Sequence, residues 1–276
     1  MSNLILREIR TMPEFRALLE LQQAIWGMPP GEATSPYVMN AVVHNGGVVI
    51  GAEVDGQLVG FCFGFVGWRD EGKLLWSHMT GVLPEFRDQG VGFRLKHAQR
   101  QWALEHGFTV IGWTFDPMQR GNANFNFRHL GAIANTYHVD LYGEMTDEIN
   151  AGLASDRLEV RWLLNDERVV ASAENRPLER PDIPFDKAAF VLRASEGDTL
   201  IYSPETAFEH SICFIEIPYQ LNALKRSNIG LAQRWQLALR QAMQAAFQRG
   251  YVAVDFVTRE ERGWYVLKRL EPQSQP

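Results

Sequence analysis

The fold is decided by the stretch Val82-Leu83-Pro84-Glu85-Phe86-Arg87-Asp88-Gln89-Gly90-Val91-Gly92-Phe93. A strand-like apolar run precedes it, and a helical pattern follows it from Val91 to His106. Gly90 and Gly92 stand at this junction, where glycine permits a positive φ and lets the backbone approach a ligand closely. The free N–H groups and the dipole of a helix N-terminus attract anions, so the junction predicts a pyrophosphate site.

Two other kinds of phosphate loop do not fit this stretch. A Walker loop needs Gly-Lys-Ser or Gly-Lys-Thr, and neither triplet occurs in the sequence. A dinucleotide fingerprint needs a third glycine at the position of Leu95. It also requires parallel strands from the start, whereas Asp55-Gly56 predicts a hairpin between strands at 47–54 and 58–68. A third strand is expected at 74–83 and a short strand at 108–115.

The helical pattern after the loop divides its residues between a buried face and other faces. The expected buried residues are Val91, Leu95, Ala98 and Trp102, and the residues expected on the other faces include Lys96 and Gln99. A strand, a long helix and a second strand in succession predict a parallel pair with a right-handed crossover.

Composition excludes several classes of protein. The formal net charge of -6 argues against a nucleic-acid binder, which needs clustered Lys and Arg. No apolar run approaches the roughly 20 residues of a membrane span, and Met1–Arg10 does not resemble a signal peptide, so we expect a cytoplasmic protein. Cys62 and Cys213 lie in apolar runs and are expected to be buried thiols.

Five residues of the opening stretch resemble the coenzyme-A loop of the GNAT acetyltransferase superfamily. Its motif runs Val-x-Pro-x-x-Arg-x-x-Gly-x-Gly or Ala, and this sequence supplies Val82, Pro84, Arg87, Gly90 and Gly92 in register. The resemblance covers about residues 4–165, including the order of the elements. It implies an α/β fold with a mixed sheet whose central strands splay near Val82.

The resemblance also implies how the chain binds acetyl-CoA. The backbone of Val82 and Leu83 would pair with pantetheine as an added strand would. The remaining cofactor-binding positions implied by the resemblance are Arg87, Asp88, Gln89, Gly90, Val91, Gly92 and Phe93, with the N–H groups of residues 88–93 holding the pyrophosphate. No metal is required, because the amine attacks the thioester directly once a base has removed its proton.

A second stretch matches the family less well. The usual helix that starts with Asn and ends in Leu-Gly-Phe is similar to Asn122–Ala132, but the terminal aromatic residue is Ala132. The tyrosine that often acts as general acid is replaced by Phe127. Asn122 would contact pantetheine or cap the helix. Tyr137 and Tyr142 are candidate proton donors, with packing as the alternative role.

His78 is the candidate general base. A strand period of two places it on the face of Val82, with Ser77 on the opposite face and uninvolved. Some arylalkylamine acyltransferases of the superfamily carry a histidine at the matching position. With the thioester near Val82, His78 would lie roughly 13 Å along the strand and act through water. The alternative is a core histidine bonded to backbone.

Three parts of the chain are expected: a GNAT domain at 1–165, a polar linker at 166–184 and a C-terminal α/β domain at 185–276. In the last, a strand, a Pro-bearing loop and a helix at 231–249 parallel the order found around the opening stretch. This order predicts a degenerate GNAT-like half that binds no CoA. An unrelated α/β cap is the alternative.

The expected reaction is acyl transfer from acetyl-CoA, or from succinyl-CoA, to a primary amine of a small molecule such as an amino acid. Ser77-His78-Met79, Trp113–Pro117 and Ser155-Asp156-Arg157 resemble a bacterial GNAT subgroup with a C-terminal extension, in which some relatives are tied to N-acylated amino acids. The alternatives are a non-catalytic CoA-sensing module and a protein N-acetyltransferase. Neither a nucleic acid nor a membrane is an expected partner, and a homodimer is left open.

Overall fold

The computed structural model describes residues 3–29, 31–70, 72–145, 151–178, 189–195 and 199–270. The chain divides into two compact units. The first contains the chain up to Trp113 together with Leu163–Asn165, and the second contains most of the chain from Thr114 onward. Within the described ranges, none of the helices is long and apolar enough to cross a membrane.

The first unit has an α/β fold, and the last two strands of its sheet are parallel. Its elements are β1 (Leu4–Glu8), α1 (Met12–Trp26), α2 (Pro36–His44), β2 (Val48–Val54), β3 (Gln57–Arg69), β4 (Gly72–Val82), α3 (Val91–Glu105) and β5, which begins in this unit (Val110–Phe115). The strands lie in the order β1-β2-β3-β4-β5. Neighbours are antiparallel from β1 to β4, whereas β4 and β5 are parallel.

Local sequence explains the boundaries of these elements. Thr11 precedes α1 and forms a capping box with Glu14, and Ser35 accepts the N–H of Tyr37 at the start of α2. Asp55 (φ 50°) and Gly56 (φ 81°) both have positive φ, as the tight hairpin between β2 and β3 requires. The predicted hairpin, strands and long helix of this unit are therefore confirmed to within a few residues.

Each face of this sheet is covered by a different set of helices. Phe61 makes an edge-to-face contact with Trp26 of α1, with ring centroids 5.8 Å apart. Cys62, the next residue of β3, points the other way and donates its thiol to the Leu95 carbonyl of α3. We call these two sides the α1 face and the α3 face. Cys62 and Cys213 are both fully buried free thiols, as expected.

The second unit contains a longer run of elements. They are α4 (Arg120–Ala123), a π-helical turn (Asn124–His129), β6 (Ile133–His138), β7 (Arg157–Leu163), α5 (Glu167–Ala173), β8 (Ala189–Ala194), β9 (Leu200–Tyr202), α6 (Pro204–Ala207), β10 (Ile212–Ile217), α7 (Leu221–Ser227), α8 (Ile229–Phe247), β11 (Tyr251–Arg259) and β12 (Arg262–Arg269). The strand order is β7-β6-β11-β12-β10-β8-β9.

One expectation from the sequence needs correction here. The expected linker begins with a helix, α5, which Asp166 caps by accepting the N–H of Arg168. Residues 179–188 lie outside the described ranges. The division into domains at 165 and 185 stays a prediction.

The C-terminal segment shares the predicted element order but not the sheet arrangement of the first unit. β10 and β11 flank the long helix α8, as β4 and β5 flank α3. β4 and β5 are hydrogen-bonded neighbours, whereas β12 lies between β10 and β11 and is antiparallel to both. β12 therefore occupies the position between β10 and β11, where two parallel strands of a GNAT sheet would splay apart. A degenerate GNAT-like half stays a prediction.

Candidate active site

A β-bulge in β4 marks the candidate site. Phe63 of β3 pairs with Met79, but the next residue, Gly64, pairs with Ser77. His78 is therefore the extra residue, opposite no partner of its own. A bulge re-aims side chains and interrupts the alternation of faces along a strand.

The bulge reverses the predicted placement of Ser77 and His78. Val82 packs towards Gly92 of α3, and Ser77 accepts a hydrogen bond from Lys96 of α3, so both lie on the α3 face. His78 instead contacts the ring of Phe63 on the α1 face, with centroids 6.0 Å apart. The prediction that His78 shares the face of Val82 is wrong, because an alternation counted back from Val82 fails at the inserted residue.

Beyond the bulge, one edge of β4 is open. Among the described residues, β5 pairs with β4 only at Leu75↔Ile111 and Trp76↔Gly112. The N–H of Leu83 donates to the Val59 carbonyl of β3 at 2.8 Å. Because N–H groups alternate in direction along an antiparallel pair, Val82 directs its own N–H to the opposite, open edge. Leu83 is therefore committed to β3, and Val82 is the one of the two placed to pair with pantetheine.

The loop after β4 leaves open space at the start of α3. A 3₁₀ turn spans Pro84–Phe86, and Asp88 (φ 57°) and Gly90 (φ 78°) have left-handed backbone before α3 begins at Val91. A Cβ added at Gly92 would meet only the Val82 methyl, at 3.9 Å. Protein packing would thus admit a side chain at Gly92. The role of Gly92 in holding CoA stays a prediction.

Arg87 and Gln89 act on the loop itself. The Arg87 guanidinium donates from Nε to the Val82 carbonyl at 3.2 Å and from Nη2 to the Ile25 carbonyl at 3.1 Å. Gln89 donates to the Glu85 carbonyl at 2.8 Å. These bonds tie the loop to the end of β4 and to the C-terminal end of α1. A role of either side chain in holding CoA stays a prediction.

We expect Arg87→Met to lower the free energy of unfolding by about 1 kcal/mol, because it removes hydrogen bonds that are largely exposed to solvent. The anchored loop is the predicted anion site, so the affinity for CoA should also fall about fivefold. Chemical denaturation and calorimetry measure the two effects. Arg16→Met, on the exposed side of α1, is the matched control and should change neither. Equal CoA affinity in both variants would contradict the anchoring role.

The surroundings of His78 suit a base. Its side chain is exposed, which contradicts the alternative of a sealed core histidine. Its ring contacts the rings of Phe63 and Phe65, with centroids 6.0 and 5.8 Å away. Partial desolvation by these neighbours lowers the pKa of His78 from its ordinary value. The imidazole is therefore neutral, and able to accept a proton, over a wider pH range.

The remaining predicted residues lie in the second unit. Tyr137 donates its hydroxyl to Asp156 Oδ2 at 2.7 Å, and Arg240 binds the same buried carboxylate through two bonds of 2.9 Å. Burial, followed by the charge of Asp156, raises the pKa of Tyr137 well above its ordinary value. Tyr142 contacts the Thr114 hydroxyl at 3.2 Å. Proton donation by Tyr137 stays a prediction.

Asn122 and Phe127 have different environments in this unit. Asn122 is exposed and lies inside α4, whose N-cap is Gln119, so the prediction that Asn122 caps the helix is wrong. Its contact with pantetheine stays a prediction. Phe127 is fully buried and packs edge-to-face on Tyr265, with centroids 5.7 Å apart. A phenylalanine ring supplies no proton, so position 127 contributes packing alone.

Lys96 and Gln99 were placed on the wrong side of α3 by the sequence pattern. Both are buried, Lys96 with only 3% of its surface exposed. The available signal was their spacing with Gly92 and Ala103, which at intervals of three or four residues forms one helical stripe. Polar residue types concealed that stripe. Ser77, at 4% exposed, is their partner on β4.

One family model matches part of the chain. The model of the acetyltransferase (GNAT) family matches residues 14–131. No curated protein matches the chain.

Similar solved structures include three acetyltransferases. The ribosomal-protein-S18-alanine N-acetyltransferase from Escherichia coli is 12% identical with a TM-score of 0.47, covering 59% of this chain and 96% of that one. Arabidopsis thaliana Naa50 with a bisubstrate analogue is 14% identical with a TM-score of 0.46, covering 57% and 97%. An aminoglycoside acetyltransferase from an uncultured soil metagenomic sample is 20% identical with a TM-score of 0.40, covering 44% and 84%.

Proposed function

Residues 14–131 are a GNAT-type N-acyltransferase domain, and from this premise we propose that the chain acylates the primary amine of a small molecule such as an amino acid. The observation that carries the proposal is the bulged β4, open along one edge, beside the glycine-lined start of α3. Acetyl-CoA is the proposed donor, and succinyl-CoA is the second donor to test.

CoA would bind in two places of the first unit. Its pyrophosphate would accept hydrogen bonds from the N–H groups at the start of α3, where Gly90 and Gly92 leave room for it. Its pantetheine would lie along the open edge of β4, starting at Val82 and running towards the bulge at His78. The structure thus supports a thioester position near the bulge, closer to His78 than the position near Val82 that the sequence suggested.

The bulge would separate the two halves of the reaction on opposite faces of the sheet. His78, on the α1 face, would remove the proton from the attacking amine, either directly or through water. An N–H group on the open edge of β4 would stabilise the oxyanion that forms on the thioester carbonyl. The CoA sulfur would leave on the α3 face, where Ser77 lies.

The acceptor would meet an aromatic side chain beside His78. Phe65 is partly exposed on the α1 face, with its ring centroid 5.8 Å from that of His78, whereas Phe61 and Phe63 are buried. The apolar part of a small amine would pack against Phe65 while the amino group points to His78.

We expect steady release of free CoA thiol when the protein is mixed with acetyl-CoA and a pool of free amino acids. The measurement is thiol release over many turnovers, repeated with succinyl-CoA and with peptides that carry a free N-terminus. Faster turnover with peptides than with any free amino acid would contradict the small-molecule assignment and favour a protein N-acetyltransferase. Tight stoichiometric CoA binding without turnover would instead indicate a sensing module.

A further inference from the structure

A buried lysine lies behind the open edge of β4, and the proposed reaction as described so far leaves it without a role. Lys96 Nζ donates to the Ser77 hydroxyl at 2.9 Å and to Gln99 Oε1 at 2.8 Å. It also lies 4.0 Å from the centre of the Trp113 ring, an arrangement that favours a cation. Ser77 and Lys96 are both almost completely buried.

The place of Ser77 gives this contact its meaning. Ser77 is the first residue of β4 beyond the last β4–β5 pair and the last residue before the bulge. It faces α3, as Val82 does at the other end of the open edge. A pantetheine chain that enters at Val82 and follows this edge ends at Ser77 and His78. The hydroxyl is therefore next to the position proposed for the sulfur.

The proposed reaction, as described so far, assigns no proton donor to that sulfur. Phe127 occupies the position where the family often has a tyrosine, and Tyr137 donates its hydroxyl to Asp156. A thiolate leaving a tetrahedral intermediate is stabilised by a proton or a nearby cation. Ser77 and Lys96 together offer both.

We propose that Ser77 protonates the departing CoA sulfur and that Lys96, hydrogen-bonded behind it, supplies the proton and stabilises the thiolate. This inference rests on the proposed function, because it uses the pantetheine position along β4. It assigns the general-acid role to a pair of residues on β4 and α3.

Release of the CoA thiol conserves protons and electrons. In the tetrahedral intermediate the C–S bond breaks, and its electron pair goes to sulfur. The Ser77 hydroxyl proton moves to sulfur while a Lys96 ammonium proton moves to the Ser77 oxygen. Lys96 is left as a neutral amine and regains a proton from solvent after CoA leaves. The proton that His78 takes from the acceptor amine goes to solvent, so no other reactant is needed.

The surroundings of Lys96 keep its proton mobile. Burial lowers the pKa of Lys96 to about 7, and the Cys62 thiol of β3 acts in the opposite direction. Burial, together with the charges of Arg100 and Lys96, lowers the pKa of the adjacent residue His97 to about 4. His97 is therefore neutral at pH 7, and Lys96 can both carry and release a proton there.

The first test is a titration of the thiol of bound CoA in the wild type and in Lys96→Met, followed by thiolate absorbance against a desulfo-CoA complex. An ammonium close to the sulfur should lower the thiol pKa by about one pH unit or more relative to the variant, because the thiolate in turn favours the charged form of Lys96. Burial raises the pKa of both Cys62 and Cys213 to about 12, so thiolate absorbance below pH 10 comes from CoA. Met keeps the volume of the buried chain, and replacing buried charge with apolar groups of similar volume is often neutral for stability.

The outcomes of this titration separate the inference from the proposed function. Tight CoA binding with the same thiol pKa in both proteins would overturn the role of Lys96 and leave the proposed site standing. Failure of CoA to bind the wild type would overturn both. A lowered pKa in the wild type alone supports the pair.

The second test separates proton donation from a structural role. Lys96→Met and Ser77→Ala should each lower kcat with acetyl-CoA about tenfold. With the selenium analogue of acetyl-CoA, whose selenolate leaves without a proton, the loss should shrink to less than twofold. Gln99→Met, which removes only the other hydrogen bond of Lys96, is the matched control. Equal losses with the sulfur and selenium donors would overturn the proposal.

Discussion

Gly92→Val lowers the affinity for CoA by about 30-fold, which corresponds to about 2 kcal/mol. The valine side chain would occupy the space in which a Cβ meets only the Val82 methyl, at 3.9 Å. That space is where the pyrophosphate would approach the N–H groups of α3. Loss of these charge-assisted hydrogen bonds accounts for the magnitude. Isothermal calorimetry with CoA on the folded variant measures it.

The chain offers a matched control for this substitution. Gly230 is the second residue of α8, as Gly92 is the second residue of α3, and a Cβ there also meets little. Gly230→Val carries the same cost in helix propensity but lies at a helix start whose first turn is capped by Asn228. Its CoA affinity should equal that of the wild type. Unchanged affinity in Gly92→Val, or a loss in Gly230→Val, would contradict the assignment of the anion site.

His78→Gln is expected to lower kcat about 100-fold while CoA affinity stays the same. Glutamine keeps the polar side chain beside the Phe63 and Phe65 rings but cannot accept a proton at neutral pH. Steady-state kinetics with the best amine measures the loss. His44→Gln, at the exposed end of α2, is the control and should have the kcat of the wild type.

The pH dependence of the wild type follows from the lowered pKa of His78. The base works only when neutral, so kcat/KM falls on acidification through that pKa, which lies below the ordinary 6.5. In His78→Gln this acidic limb should be missing. A variant with near-normal kcat at pH 7, or with the same acidic limb, would show that another group or solvent takes the proton.

The sequence predicted the elements of the first unit well because the signals for them are local. A turn at Asp55-Gly56, a helix entry at Gly90 and a helical period from Val91 each depend on a few adjacent residues. The positive φ of Gly90 and the open space at Gly92 follow from the same two glycines that predicted them. Which CoA atoms these residues hold stays a prediction.

The bulge at His78 could not be predicted, because it is a property of the pairing between two strands. Nothing in Ser77-His78-Met79 distinguishes an inserted residue from ordinary alternation. One extra residue exchanges every face assignment on one side of it. For this reason the sequence assigned His78 to the face that Ser77 occupies, and it left Ser77 out of the site.

The burial of Lys96 could not be predicted from its residue type either. A lysine within a helical pattern is ordinarily solvated, and only the Ser77, Gln99 and Trp113 contacts make its burial tolerable. Ser77 lies on β4 and Trp113 on β5, so the sequence held no local sign of these two partners. The strand β12 between β10 and β11 is a similar case, since sheet order depends on distant pairing.

A crystal structure of the chain with CoA bound would show where the cofactor lies. We expect the pyrophosphate on the N–H groups at the start of α3, beside Gly90 and Gly92. We expect the pantetheine to pair with the outward N–H of Val82 along the open edge of β4, and the sulfur to lie next to Ser77 at the bulge. CoA bound at the start of α8 near Gly230, or anywhere away from the open edge of β4, would contradict this placement.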